Sequence, residues 1–527
     1  MLCSTALLIH YRSSLHFMLD DWGFVIYRED GNVGDFLDPH NEHISILPIA
    51  IYKLFLSVFG MGSAMPLHVL SVAVFLLSVF LLFRYLKPLV GEPAALIGCA
   101  VILFFGAAWE DLLWAFQIGF SISIAAGIGA LIMLRRGDAL GDIVACSLLV
   151  ISVISTSLGI PFAIGSAVCL LLQRENLRSR LFVIVVPALV YGAWYLGWGH
   201  TAESTLSFGN ALNAPEHIAR SFSLTATEMT GLSKVISASE VLPSLLVGLL
   251  ALSAVVWGVR RQDGIPRPLL VGAAIAFSFW GLAALNMAPG RGFEVSRYQF
   301  PNAVFLVMIV AGAFEGVRPR AGVLAILGVV AAAAIAVNIE ALESGYERHF
   351  KPLSDKGIAG LTALDIARGS VNPELAVGMN WDDSARVAAG DYFAAEDKYG
   401  SPAWSNAEIL ESSEFARTRI DEILVAALPL SARALPAERE SKACQAVEAG
   451  VLGSAKEIPL PARTITFRSQ EGVFLGVGRY GSRVGIGAAL AEPGTEMMLH
   501  VPEDLSDVPW RIAFFGSGKV RVCSKVE

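Results

Sequence analysis

Charge is what this chain lacks most. Of its 527 residues only 16% are charged and 54% are hydrophobic, against about 25% charged in a soluble globular protein. Mean hydropathy is +0.59, so several membrane-spanning segments are expected. There is no basic excess either: the net charge is −8, which gives no electrostatic footprint for a nucleic-acid partner. The six cysteines are scattered and show no CxxC or Cys/His metal spacing. Neither a Walker A pattern nor HExxH is present, which removes the P-loop and zincin readings. The N-terminus lacks the basic n-region and cleavage site of a signal peptide. Leu2 to Ile9 is apolar but shorter than the roughly 20 residues of a spanning helix. It reads as the end of a first transmembrane helix, with a short interfacial anchor as the alternative.

What is present is a series of apolar stretches at 66–86, 94–108, 112–134, 143–173, 181–198, 242–259, 268–288, 299–316 and 321–339. The 143–173 stretch is too long for one crossing and is interrupted at Ser155-Thr-Ser-Leu-Gly-Ile-Pro161. Glycine and proline weaken a helix there, so two short crossings or a re-entrant pair are expected. Basic residues mark cytoplasmic ends: Arg84 and Lys87; Arg135 and Arg136; Arg174, Arg178 and Arg180; Arg260, Arg261 and Arg267; Arg318 and Arg320. Every second loop is basic. The intervening segments, Trp109-Glu110-Asp111, 199–241, 289–298 and everything after 339, are then exoplasmic. The 44–60 segment is apolar but carries Lys53, Tyr52 and Pro48. It is read as an interfacial helix rather than a crossing. That places the first loop, 10–43, outside.

The fold class expected is an α-helical polytopic membrane protein over 1–340 with a soluble exoplasmic α+β domain over 341–527. Residues 341–450 read as helical and 460–527 as short strands punctuated by glycine and proline. Cys444 and Cys523 are the cysteines of this tail. A disulfide between them is permitted outside the cytoplasm, and their proximity stays open. Gly476-Val-Gly478-Arg-Tyr-Gly481 fits GxGxxG, but no helix is expected after it. A glycine-rich hairpin, not a dinucleotide site, is the reading.

Carboxylates at a membrane boundary are costly when idle. Asp20 and Asp21, followed by Trp22, a candidate substrate contact, lie between apolar residues at the start of the first loop. Glu29, Asp30 and Asp35 fit a solvated loop. Glu110 and Asp111 occupy a tight gap between apolar stretches, with Gln117 one or two helical turns further on. Structural marking of the interface is the competing reading for this second pair. His40 and His43 are weaker candidates for acceptor or phosphate contacts. In the 289–298 loop Arg297, fixed by Tyr298 and Pro301, can grip a phosphate with its planar fork; lipid-headgroup snorkelling is the competing reading.

Taken together, Asp20-Asp21-Trp22 opening an outer loop, the 44–60 segment, Glu110-Asp111 in the next outer loop, Ser296-Arg297-Tyr298 in a late one and a soluble tail resemble the polyprenyl-phosphate-dependent membrane glycosyltransferases of the GT-C superfamily, in a bacterial form. The resemblance covers roughly 1–340 and rests on short motifs at matching topological positions. It implies an inverting transfer at the plasma membrane, from a sugar on a polyprenyl phosphate to an exoplasmic acceptor in cell-envelope glycan synthesis. The acceptor, a glycan, lipid or protein, stays open. Asp20 or Asp21 would act as base, and Glu110 or Asp111 would position the acceptor. Arg297, alone or with a divalent cation (Mg²⁺ or Mn²⁺) held by these acids, would neutralise the leaving phosphate. Two other classes stand beside it. A non-catalytic envelope scaffold with a glycan- or protein-binding tail would tolerate loss of the acids. A transporter of a lipid-linked solute would show an internal repeat and deeper acids, and neither is visible in the sequence.

Overall fold

A computed structural model describes residues 1–28, 31–174, 176–203, 205–236, 241–428, 430–435, 443–451, 454–482, 484 and 486–524. Glu29 and Asp30, read above as solvated, lie outside the described residues. The helices are α1 (Leu2–Arg12), α2 (Asp21–Val25), α3 (Val33–Leu37), α4 (Ile46–Phe59), α5 (Met65–Val90), α6 (Glu92–Leu103), α7 (Trp109–Leu113), α8 (Ile118–Leu134), α9 (Ala139–Ser155), α10 (Gly159–Gln173) and α11 (Leu177–Arg180). There follow α12 (Phe182–Gly197), α13 (Phe208–Met229), α14 (Val241–Val259), α15 (Arg267–Leu285), α16 (Ser296–Ala313), α17 (Ala321–Gly345), α18 (Lys351–Ile366), α19 (Ala389–Tyr399), α20 (Asn406–Glu411) and α21 (Glu414–Ala427). The chain divides into two compact units. The first comprises Met1–Ser14, Arg28–Phe55 and Met65–Phe350; the second comprises Leu15–Tyr27, Leu56–Ala64 and Lys351–Glu527.

The first unit is helical, because a backbone in lipid must satisfy its own polar groups. Among the described residues six helices are long and apolar enough to cross a membrane, or seven if α6 and the Gly106–Leu113 segment, bent by 42°, form one broken span. The protein is a multi-pass membrane protein. The long 143–173 stretch is split into α9 and α10, 17 and 15 residues long. The 299–316 stretch corresponds to α16, which is buried along nearly its whole length and packs against α13, α14 and α15. Its 303–313 part is apolar all round, as suits a helix in such a centre.

One segment of the first unit differs from its reading. Residues 199–241, expected as a loop, contain the 22-residue helix α13, whose Ser207 cap accepts from the Asn210 N–H. Its buried face is built from Ser221, Ser223, Thr225 and Thr227 around Leu224. Such small polar side chains pack well between membrane-domain helices but leave no apolar run for a hydropathy scan to find.

The second unit is α+β. Short strands β1 (Ala376–Gly378) and β2 (Arg386–Ala388) pair within the 341–450 stretch expected to be helical, and two more strands, at 431–434 and 443–448, also fall within it. Further on come β3 (Ser431–Ala434), β4 (Ala443–Glu448), β5 (Ile458–Pro459), β6 (Thr464–Ser469), β7 (Val473–Gly478), β8 (Ile486–Ala491), β9 (Glu496–His500), β10 (Arg511–Gly516) and β11 (Lys519–Ser524). They form a four-stranded sheet in the order β5-β10-β7-β8 and a five-stranded sheet in the order β3-β9-β6-β11-β4. The pairings are antiparallel. Phe467 of one sheet meets Phe514 of the other with ring centroids 5.4 Å apart, and Ile465, Leu475, Val477, Ile512 and Val520 are fully buried around them. Cys444 lies directly opposite Cys523 in the β4–β11 register, and the two form a disulfide. The glycine-rich motif runs along β7 into a hairpin with β8, as expected. Its loop holds a carboxylate of the protein itself: Asp421 of α21 accepts the backbone N–H groups of Arg479, Tyr480 and Gly481.

Candidate functional site

In the first unit the acids of the second pair sit where the helix breaks between α6 and α7. The break is fixed by a close approach: a Cβ on Gly106 would lie 1.7 Å from the Asn338 carbonyl oxygen of α17. The Asn338 side chain accepts from Ala107 N–H at 3.1 Å and donates to the Glu228 carbonyl at 3.0 Å. Arg12, fully buried, donates to the carbonyls of Leu112 at 2.8 Å and of Asp111 and His68 at 3.3 Å. A five-residue helix leaves its last carbonyls without intrahelical donors, and this guanidinium supplies them. Arg12 was not singled out from the sequence; a basic residue at the end of a short apolar stretch was its only signal.

Glu110 is the residue that gathers the late loop. Its Oε2 accepts the backbone N–H of Arg297 at 2.7 Å, and its Oε1 lies 3.6 Å from the Arg297 guanidinium. The Ser296 hydroxyl lies 3.1 Å from the Glu110 N–H and donates to the Ala107 carbonyl at 2.8 Å. Arg297 also donates to the Gly290 carbonyl and lies over the Tyr298 ring, which in turn meets Phe279 edge-on. Asp111 is 2% exposed, and neither carboxylate oxygen has a hydrogen-bond partner among the described residues. Gln117 is buried at the start of α8.

A cavity of about 400 Å³ opens beside this pair, lined by Trp109, Glu110, Glu228, Glu294, Ser296, Gln299, Ser344 and His349 among others. The Trp109 indole stacks on His349 at 4.9 Å. Gln299 is held by Thr225 and by the Phe293 carbonyl. Glu228 and Thr225 went unnoticed because α13 was read as a loop.

His40 and His43 exchange backbone hydrogen bonds at 3.0 Å. His43 Nδ1 contacts the Ser157 hydroxyl at 3.1 Å, in the α9–α10 break, while His40 packs on Phe116. Burial pushes the His43 imidazole down to about 4, against the pull of Glu42. A neutral ring offers no charge to a phosphate. Glu42 between them forms an ion pair with Arg291. This arrangement ties the late loop to the first one.

The first acid pair belongs to the second unit, because the Leu15–Tyr27 segment is apolar at nearly every other position. Leu15, Phe17, Met18, Trp22, Phe24, Val25 and Ile26 are all buried. Trp22, taken from the sequence as a contact for substrate, packs edge-on against Phe17 at 5.8 Å. Asp21 is 2% exposed and accepts the Met18 N–H at 2.9 Å. Asp20 is half-buried and makes no capping bond to α2. Leu19 before it adopts φ +51°.

Among the described residues no group of three or more His, Cys, Asp or Glu side chains is placed to hold a metal ion, and Glu110 is engaged by Arg297.

No family model matches the chain, and no curated protein matches it by sequence. Among solved structures it is similar to the crystal structure of ArnT from Cupriavidus metallidurans bound to undecaprenyl phosphate, at 15% identity and a TM-score of 0.45, over 75% of this chain and 83% of that one.

Proposed function

We propose that this chain is a GT-C-type glycosyltransferase of a bacterial plasma membrane. It moves a sugar from a polyprenyl phosphate to an exoplasmic acceptor hydroxyl during cell-envelope glycan synthesis. The observation that carries the proposal is the Glu110–Arg297 pair beside Asp111, a buried carboxylate without a hydrogen-bond partner among the described residues, in a membrane unit. Ionisable groups in such a setting are expensive and by default functional. The acceptor oxygen forms a bond to the anomeric carbon as the bond from that carbon to the phosphate oxygen breaks. The electron pair leaves on the lipid phosphate, and the hydroxyl proton goes to Asp20 or Asp21. Arg297 neutralises the departing phosphate, where a planar guanidinium is suited to two oxygens. Glu110 or Asp111 positions the acceptor. The Cys444–Cys523 disulfide supports an exoplasmic tail, since disulfides persist in oxidising compartments.

The test is turnover of radiolabelled polyprenyl-phosphate sugars by membranes containing the wild type or the double variant Asp20→Asn/Asp21→Asn. Transfer that is lost in the variant at equal expression supports the reading. Equal transfer by both, or none above a vector control across several donors, sinks it and favours a scaffold.

A further inference from the structure

One loop of the second unit touches both N-terminal segments that fold there. It runs from Tyr399, the last residue of α19, to Trp404, just before α20. The Tyr399 carbonyl accepts the Met61 N–H at 2.7 Å. A Cβ on Gly60, whose φ is +70°, would lie 2.5 Å from that carbonyl oxygen, so the Leu56–Ala64 segment needs glycine at this approach. At the other end of the loop the Trp404 indole N–H donates to His16 Nε2 at 3.3 Å. The Trp404 backbone N–H donates to the Thr362 hydroxyl of α18 at 3.0 Å. His16 belongs to Leu15–Tyr27, the segment that carries Asp20 and Asp21.

The middle of the loop rests on two carboxyl groups. The Ser401 hydroxyl donates to Asp365 Oδ2 of α18. Its oxygen accepts the Ala403 N–H at 2.9 Å and meets the Tyr392 hydroxyl at 3.3 Å. The second Asp365 oxygen, Oδ1, is buried and has no hydrogen-bond partner among the described residues. The Glu396 side chain of α19 is within hydrogen-bond reach of the Asp365 carboxyl. Two ionised carboxylates only accept and repel each other, whereas a protonated one donates. Arg368 of α18 is the cation at this pair, 2.7 Å from Glu396 and bonded also to Asp397.

We infer that Asp365 and Glu396 form a proton-operated latch: while they share a proton the 399–404 loop is held down, and loss of that proton loosens the loop together with both N-terminal segments. Burial, then repulsion from Asp365, pushes Glu396 up to about 7 against the pull of Arg368. The raised pKa belongs to the closed form, so the latch is complete in acid and loosens as pH rises through about 7. The other titratable neighbours do not change charge in that range. Burial holds the Tyr392 phenol above its usual range. Burial, reinforced by Lys351 and opposed by Glu408, pushes His16 down to about 4, so its ring stays neutral and accepts from Trp404. Lys398 lies over the Tyr399 ring. The latch operates whatever chemistry the first acid pair serves.

Hydrogen exchange by mass spectrometry on the full-length protein in detergent tests it, at about pH 6 and about pH 8.5, with rates corrected for intrinsic exchange. Glu396 returns to about 4.5 on opening, so the open population rises about tenfold between these two conditions. Corrected exchange in 15–27, 56–64 and 396–405 is expected to rise together by that factor, with 464–478 unchanged. Glu396→Gln, whose amide donates to Asp365 at every pH, reduces the rise to less than about twofold. Arg368→Gln removes the opposing cation and moves the midpoint of the rise to higher pH. A wild type without the rise overturns the latch, and so does a rise undiminished in Glu396→Gln. A rise confined to 396–405, with 15–27 and 56–64 unaffected, overturns the grip on the N-terminal segments. Should Glu396→Gln fail to fold, Arg368→Gln decides: a midpoint equal to that of the wild type overturns the latch.

Discussion

The Asp421 carboxylate offers a prediction whose size can be worked from contacts. It is 2% exposed and takes the N–H of Arg479 on Oδ2 at 2.9 Å, that of Tyr480 on Oδ1 at 3.0 Å and Oδ2 at 3.1 Å, and that of Gly481 on Oδ2 at 3.0 Å. The close fit depends on Gly478, whose added Cβ would stand 3.1 Å from Oδ2. Asp421→Ala leaves three backbone donors without their acceptor. Each unsatisfied donor costs about 1–3 kcal/mol, and water reaching the loop and the removal of a buried charge offset part of that sum. Burial already raises the Asp421 pKa against the pull of the three N–H groups, so the carboxylate itself is held at some cost. A net loss of about 3 kcal/mol results, within the range for breaking one side of a buried charged contact. Asp421→Asn keeps one acceptor oxygen but turns an amine toward a donor, and loses about half as much. The readout is hydrogen exchange by mass spectrometry over 473–491. At 1.4 kcal/mol per factor of ten, 3 kcal/mol corresponds to roughly 10²-fold faster exchange in the Ala variant when local opening governs it. Exchange there that is unchanged in Asp421→Ala would refute the account of this loop as a carboxylate-filled nest.

Four further outcomes are expected. Burial, with repulsion from Asp365, pushes Glu396 up to about 7 against the pull of Arg368. Because the folded pKa is the raised one, stability is full below the unfolded value of about 4.5 and is lost as pH rises through about 7. The loss is of order 1–3 kcal/mol at about 1.4 kcal/mol per unit, and melting curves from pH 4 to 8 should flatten in Glu396→Gln. Reducing the Cys444–Cys523 bond reopens a loop with 79 residues of separation and costs about 2–4 kcal/mol; an unchanged melting temperature in reductant contradicts this. Gly106→Ala, with its Cβ 1.7 Å from the Asn338 oxygen, loses about 3 kcal/mol or forces α17 away, and normal yield and melting in detergent would count against that approach. Arg297→Gln lowers kcat about 10–100-fold with Arg297→Lys intermediate, on the scale of one lost charge-stabilising donor; equal rates in all three remove Arg297 from phosphate binding.

Much of the helical unit was legible in the sequence because hydropathy is a local property. Helices α5, α6, α8, α9, α10, α12 and α14 to α17 fall on the apolar runs, and the break at Ser155–Pro161 was marked by its own residues. The hairpin reading of Gly476–Gly481 rested on what followed the motif, also a local fact. Where local signal was absent, the reading failed: α13 turns small hydroxyl side chains inward, and no apolar run announces it. The acid pairs were visible as residue types in unusual places. Their partners were not. Glu110 meets Arg297 across 187 positions, and Arg12 caps a carbonyl 100 positions away.

The sequence by itself determined that this is a multi-pass membrane protein with a β-rich end, since apolar run length and strand alternation are written residue by residue. Only the tertiary structure decided that Leu15–Tyr27 folds with the C-terminal unit, that Cys444 faces Cys523, and that Asp21 closes a turn on Met18. The first two depend on which buried surfaces find each other across hundreds of residues, and the last on a backbone conformation. Neither is encoded in composition or period.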